Sequence, residues 1–209
     1  RPTTAGNLTA VVTTNSLSSG TAVQVATVIP TVTSSAANLL ASASTLTING
    51  FGFDPVAANN AVTLSGGAVG TVTAATATSL TVSLSTKPTS TTSLTALVTT
   101  GTRTSIAAVQ VATVVPVVTS STFLAGISTS IVTINGFGFD AIASRNKVVF
   151  NNGATGTVTA ATSTSLTVTY TVKPKTAGSV TAIVTTNAVV SGAAVQVAIV
   201  KPVITTSVA

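Results

Sequence analysis

The 209-residue chain carries eight Lys and Arg against two acids, Asp54 and Asp140, and contains no Glu, His or Cys. Nucleophilic systems of the Ser-His-Asp or Cys-His kind are therefore excluded, as are disulfides and zinc sites built on imidazole or thiolate. The net charge of +6 arises from bases scattered at expected turns (Arg1, Lys87, Arg103, Lys173, Lys175), without the clustering and interleaved aromatics of a nucleic-acid surface.

Charged side chains make up only 5% of the residues, and Thr and Ser stand where a soluble protein usually places Lys and Glu. With abundant Val, Leu and Ile this mixture favours strands, and almost nothing follows the spacing of a helix. Residues 1–30 read as a hairpin. Leu8, Ala10 and Val12 alternate with Thr9, Val11 and Thr13, a polar turn runs from Asn15 to Gly20, and Val23-Gln24-Val25-Ala26-Thr27-Val28 returns. The same hairpin recurs at 94–100 with 106–114, and again at 180–186 with 193–200. Ala-Val-Gln-Val-Ala marks all three copies at 22–26, 108–112 and 194–198, and Pro30, Pro116 and Pro202 close them. Proline lacks an N–H to offer a sheet, which suits a junction between successive units.

Between Pro30 and Pro116 the alternating runs fall at Val32-Thr33, Leu46 to Ile48, Val62 to Leu64, Val72 to Ala74 and Leu80 to Leu84, followed by the hairpin. About seven short strands with turn signals between them predict an all-β sandwich. The step of 86 residues (116 − 30 = 86) repeats to Pro202, and 71–82 differs from 157–168 only at Ala77 against Ser163. Recent duplication is the reading. The apolar window 183–200 contains Thr185, Thr186, Asn187, Ser191 and Gln196, so it reads as two strands and a turn, and no membrane span is expected.

The strongest shared motif is Asn49-Gly50-Phe51-Gly52-Phe53-Asp54, which returns unchanged as Asn135-Gly136-Phe137-Gly138-Phe139-Asp140. Glycines beside Asn and Asp suit a chain turning sharply out of a strand at positive φ. Gly50, Gly52, Phe53 and Asp54, with Gly136, Gly138, Phe139 and Asp140, are therefore assigned to a structural turn. Phe53 and Phe139 are expected to plug the end of the sandwich, and each Asp to accept backbone N–H groups. Strand alternation puts Phe51 and Phe137 on the opposite side. No Lys-Ser or Lys-Thr and no helix follow the glycines, so this is not a phosphate loop.

In order, the repeats have a Thr-x-Thr-Ile strand (Ile131-Val132-Thr133-Ile134 in the second), the Gly-x-Gly-Phe turn, a short strand (Val62-Thr63-Leu64 in the first repeat) and a Gly-rich turn. Val-Thr-Ala-Ala-Thr, Ser-Leu-Thr-Val, a Pro turn and Val-Thr-Ala-x-Val-Thr-Thr (with Leu94 for the first Val in the first repeat) complete the pattern. This order resembles the IPT/TIG group of immunoglobulin-like domains, found in tandem in bacterial cell-surface and secreted proteins. The resemblance implies tandem immunoglobulin-like β-sandwiches and an extracellular or cell-surface location. The expected division is 1–30, the terminal hairpin of an incomplete repeat; 31–116 and 117–202, complete domains; and 203–209, the first strand of a further repeat or a tail. Arg1-Pro2 aligns with Lys87-Pro88 and Lys173-Pro174, so the chain is expected to start inside a repeat.

No cofactor, metal or reaction is expected, since the two acids are 86 residues apart (140 − 54 = 86) and no Asp-x-Asp-x-Asp-Gly loop occurs. A structural role follows: a rod or filament segment that associates with itself through strand edges at its ends. Leu8, Val12, Val23 and Val25 of the hairpin are the candidate self-association residues, because a lone hairpin leaves apolar side chains that need cover. The competing reading is an adhesin or carbohydrate-binding module with a glycan or cell-surface partner. It would use the loops after Asp54 and Asp140, where the repeats differ most, with Arg145 and Lys147 as candidate ligand contacts.

Overall fold

Aliphatic side chains alternating with Thr and Ser set the architecture, because a strand presents successive side chains to opposite faces. The computed structural model describes residues 2–89 and 93–202, so the expectation for 203–209 lies outside the described residues. Helical structure among these residues is confined to two single 3-10 turns, Ala57–Asn59 and Ala143–Arg145. No helix is long and apolar enough to cross a membrane among the described residues.

The N-terminal hairpin pairs β1 (Gly6–Ala10) with β4 (Val23–Val28) antiparallel, and a smaller pair, β2 (Thr13–Thr14) and β3 (Leu17–Ser18), forms its tip. Asn15 and Ser16 turn between the two short strands at φ of 48° and 65°. Two successive left-handed residues are what a tight two-residue hairpin turn requires.

The first repeat supplies β5 (Thr31–Val32), β6 (Asn38–Leu40), β7 (Thr45–Phe51), β8 (Asn60–Leu64), β9 (Val69–Ala75), β10 (Ser79–Thr86), β11 (Ser93–Thr100), β12 (Arg103–Thr104) and β13 (Val109–Val115). One sheet runs β5-β7-β10-β9; the other runs β12-β11-β13-β6, with β8 also paired to β11. The second repeat follows the same plan with β14 (Val117–Val118), β15 (Leu124–Gly126), β16 (Ile131–Phe137), β17 (Asn146–Phe150), β18 (Thr155–Ala161), β19 (Ser165–Val172), β20 (Gly178–Thr186), β21 (Val189–Val190) and β22 (Val195–Lys201). Its sheets are β14-β16-β19-β18 and β15-β22-β20-β17, with β21 beside β20. The protein is all-β, built of tandem β-sandwiches. By contacts it divides into two compact units whose boundary falls between Ala112 and Thr113, with Asn38–Ser42 grouped in the second and the hairpin in the first.

Each repeat has the expected runs and four further short strands in all, β6, β12, β15 and β21. β6 pairs in parallel with β13 through Asn38↔Thr113 to Leu40↔Val115, and β15 pairs likewise with β22. Three residues are too few to show an alternating pattern, so these edge strands leave no periodic trace in the sequence.

The core forms where the inward residues of the two sheets meet. In the first repeat Leu46, Ile48, Leu80 and Val82 come from one sheet and Leu94, Ala96, Val98 and Val111 from the other, all buried. In the second repeat Ile134, Leu166 and Val168 pack with Val180, Val184 and Val197 in one cluster. Tyr170 lies on the inward face of β19, and its ring meets Phe150 with centroids 5.3 Å apart at 52°.

Candidate functional site

The Asn-Gly-Phe-Gly-Phe-Asp turn stands at the end of β7 and again at the end of β16. Gly50 and Gly136 are still in the strand. A Cβ on Gly50 would strike the carbonyl oxygen of Thr31 and the ring of Phe53; one on Gly136 would strike the Val117 carbonyl and the Phe139 ring. Gly52 and Gly138 then reverse the chain at φ of 79° and 74°. The first glycine of each pair therefore makes room for the aromatic ring, and the second supplies the left-handed backbone. Phe53 and Phe139 are fully buried, whereas Phe51 is 43% exposed.

Both carboxylates turn back onto the loop that follows. Asp54 Oδ1 accepts from the backbone N–H of Val56 at 2.8 Å, and Oδ2 from Asn59 Nδ2 at 3.0 Å. In the second repeat Asp140 Oδ1 accepts from Ile142 N–H at 2.8 Å, and Oδ2 from Asn187 Nδ2 at 3.0 Å and Arg145 Nη1 at 3.4 Å. The Ile142 N–H, then Asn187, then Arg145 hold the Asp140 carboxyl below its usual range, outweighing its partial desolvation.

The residue that locks each turn was missed in the sequence. Asn60, buried at the start of β8, accepts from Asp54 N–H and from Thr100 Oγ1 through Oδ1. Its Nδ2 donates to the carbonyls of Asp54 and Val56 at 2.8 and 3.1 Å. Asn146 makes the same four bonds to Asp140, Ile142 and Thr186. A signal existed: between 55–60 and 141–146 only Ala57 with Ala143 and this Asn are unchanged, and it is the one polar residue kept.

Arg145 ends the 3-10 turn with its side chain 57% exposed, its guanidinium on Asp140. Lys147 is exposed, yet it sits in β17 opposite Thr185 rather than in the loop, because Asn146 already closes the loop one residue earlier. In the first unit a shallow polar cleft of about 400 Å³ is lined by Asn7, Asp54, Thr100 and Arg103, and Arg103 Nη2 donates to Asn7 Oδ1 at 2.6 Å. Among the described residues no group of three or more His, Cys, Asp or Glu gathers to hold a metal. The arrangement around each Asp is that of a hydrogen-bonded turn, with a carboxylate acting as acceptor.

Leu8, Val12, Val23 and Val25 all lie exposed on the hairpin, at 41%, 64%, 65% and 60%. The start of the hairpin is tied to the turn of the first repeat, where Thr4 bridges Gly52 and Ala5 N–H donates to Gly52 O at 2.9 Å.

No family model and no curated protein matches the sequence. Among solved structures, the chain is similar to domains 5–6 of the S-layer protein SbsC at 18% identity and a TM-score of 0.27, covering 82% of this chain and 98% of that one. A likeness that distant does not say what this chain does.

Proposed function

We propose that the chain is a non-catalytic structural repeat protein acting outside the cell, a segment of a rod or filament that associates with copies of itself. In this reading 31–116 and 117–202 are successive immunoglobulin-like domains of the IPT/TIG kind, and 1–30 and 203–209 are parts of adjoining repeats. The observation that carries it is the use of the two acids: both are engaged as acceptors inside their own turns, on Val56 and Asn59 and on Ile142, Asn187 and Arg145. In a chain without Glu, His or Cys, this leaves no carboxylate, imidazole or thiol outside a turn network for general acid–base work. What the two repeats keep alike is the buried turn network, which stiffens a β-sandwich end.

One observation favours a binding module as the second reading. Asp54, Arg103 and Asn7 share the cleft in the first unit, a polar set that suits sugar hydroxyls. A glycan array and a cell-binding assay separate the two. The structural reading expects no signal; a signal lost in Arg103→Ala, or in the Arg145→Ala, Lys147→Ala pair, replaces it with the adhesin reading.

A further inference from the structure

Asparagine followed by glycine occurs three times in the chain, at Asn49-Gly50, Asn135-Gly136 and Asn152-Gly153. That pair carries chemistry of its own. The backbone nitrogen of the second residue can attack the side-chain amide carbon of the first, and glycine has no Cβ to obstruct the approach. Solvent access alone would favour the first two steps, since Asn49 and Asn135 are exposed and Asn152 is half-buried. The backbone decides the other way.

Gly50 and Gly136 lie inside β7 and β16, and their N–H groups donate to the carbonyls of Thr78 and Thr164, each at 2.9 Å. A nitrogen held in this way must leave the sheet before it can react. Asn152 and Gly153 are instead the two central residues of the tight turn from β17 into β18. Their φ angles are 55° and 65°, and Ala154 N–H closes the turn on Asn151 O at 3.1 Å. Two left-handed residues in succession are the setting that favours Asn-Gly. The second central N–H takes no part in closing such a turn, and Gly153 N–H has no hydrogen-bond partner among the described residues. Thr176 holds the Asn152 side chain: Nδ2 donates to the Thr176 carbonyl and Oδ1 accepts from Thr176 Oγ1, each at 2.7 Å. That hydroxyl draws electron density from the carbonyl the nitrogen would attack. The first repeat has Gly66-Gly67 at the same turn, at φ of 65° and 72°, so it keeps the backbone and lacks the amide.

We propose that Asn152 is a site of self-modification, converting to aspartate and isoaspartate in the folded protein while Asn49 and Asn135 persist. Gly153 N gives its proton to solvent and bonds to Asn152 Cγ. The Cγ–Nδ2 bond breaks, and the amide nitrogen takes a proton from water and leaves as ammonia. The cyclic imide that results then adds one water. Opening at one carbonyl restores the ordinary backbone with an aspartate side chain; opening at the other routes the main chain through Cγ as isoaspartate. Nothing is oxidised or reduced. Either product has a carboxylate that cannot donate to the Thr176 carbonyl. It stands beside Lys175, whose Cδ and Cε lie 3.4 Å from where a Cβ on Gly153 would be. Isoaspartate also adds a main-chain atom to a two-residue turn. The tie from this turn to the 173–177 loop is thereby lost, and the formal side-chain charge falls from +6 to +5 (6 − 1 = 5). This goes beyond the structural reading above: it gives the second repeat, and not the first, a turn that loosens with age.

The test is peptide mapping by mass spectrometry of the folded full chain, aged in warm, mildly alkaline buffer made with heavy-oxygen water. The label should enter at Asn152 about tenfold or more faster than at Asn49 and Asn135, where a sheet amide must open first. In denaturant the three steps should convert alike, because the protection goes with the fold. Asn152→Gly, which copies the turn of the first repeat, should fold and take no label at this position. Asn152→Asp, which is one of the two products, should be cut by trypsin after Lys175 faster than the parent; equal cutting would show that the bond to Thr176 does not hold the loop. The proposal is overturned if Asn49 or Asn135 converts as fast as Asn152 in the folded chain, or if the preference for Asn152 survives in denaturant. It is overturned equally if the folded chain keeps Asn152 intact while the denatured chain converts it. None of these results touches the structural reading, which the glycan array decides.

Discussion

At the scale of single residues, the turn after β7 divides its work between two glycines that look interchangeable in the sequence. Gly52→Val or Gly138→Val forces a β-branched side chain into the left-handed region, a strain of about 1–2 kcal/mol before any repacking. Gly136→Ala keeps a permitted backbone but drives its methyl into the Val117 carbonyl and the Phe139 ring. Overpacking of this kind costs about 1–3 kcal/mol. Thermal unfolding should show a lowered Tm in all three variants, and an unchanged Tm in Gly136→Ala would refute the close approach. Asn146→Ala should be at least as damaging, since it removes the amide partner of the part-buried Asp140 N–H and carbonyl; about 2 kcal/mol, or roughly 10 °C in Tm, is expected. Asn146→Asp tests the amide itself, because a carboxylate cannot donate to the Asp140 and Ile142 carbonyls. The motif was legible as a motif; the Asn was not, because its partner Thr186 lies forty residues along the chain. Sequence spacing carries no hint of such a contact, and only its retention in a divergent loop marks it.

At the scale of elements, alternation sufficed wherever a strand has one core face and one wet face. β10 and β19 follow it closely, with Leu80, Val82 and Leu84 or Leu166, Val168 and Tyr170 all inward. Alternation cannot say whether an inward face finds a partner. In β1 and β4 it is as regular as in β11 and β13, yet the face is exposed. Strands without cover open easily, since the free energy of local opening follows the apolar contact they make. Native-state hydrogen exchange at low concentration should therefore find the paired amides of 6–10 and 23–28 less protected than those of 93–100 and 178–186. Equal protection in all three copies at high dilution would mean that the hairpin face is covered within the single chain.

At the scale of the whole molecule, a chain so poor in ionisable groups should answer weakly to pH, and the few groups it has set the two edges. In acid only two side-chain carboxylates can take up protons, moving the formal side-chain charge from +6 to +8 (6 + 2 = 8). Asp140 is held below its usual pKa when folded, so the unfolded chain binds its proton more readily. Its contribution is therefore complete above the ordinary carboxylate range and is lost as pH falls through the lowered value. Asp140→Asn should flatten the loss of Tm in acid. At the alkaline edge the sign reverses. Burial pushes the Tyr170 phenol above its ordinary value, and a phenol loses stability when it must ionise in place. Stability from this group is complete below the unfolded pKa, near 10, and is lost as pH rises through the folded one. Tyr170 is the sole tyrosine and Trp is absent, so tyrosinate absorbance reads this one site. The native chain should titrate later than the same chain in denaturant, and the two curves should converge where the second repeat melts. Leu84 occupies the matching place in the first repeat, so Tyr170→Leu should remove the alkaline fall of Tm assigned to this group. Native and denatured chains titrating together would show that the ring is not buried, and the packing of Phe150 on Tyr170 would then be wrong.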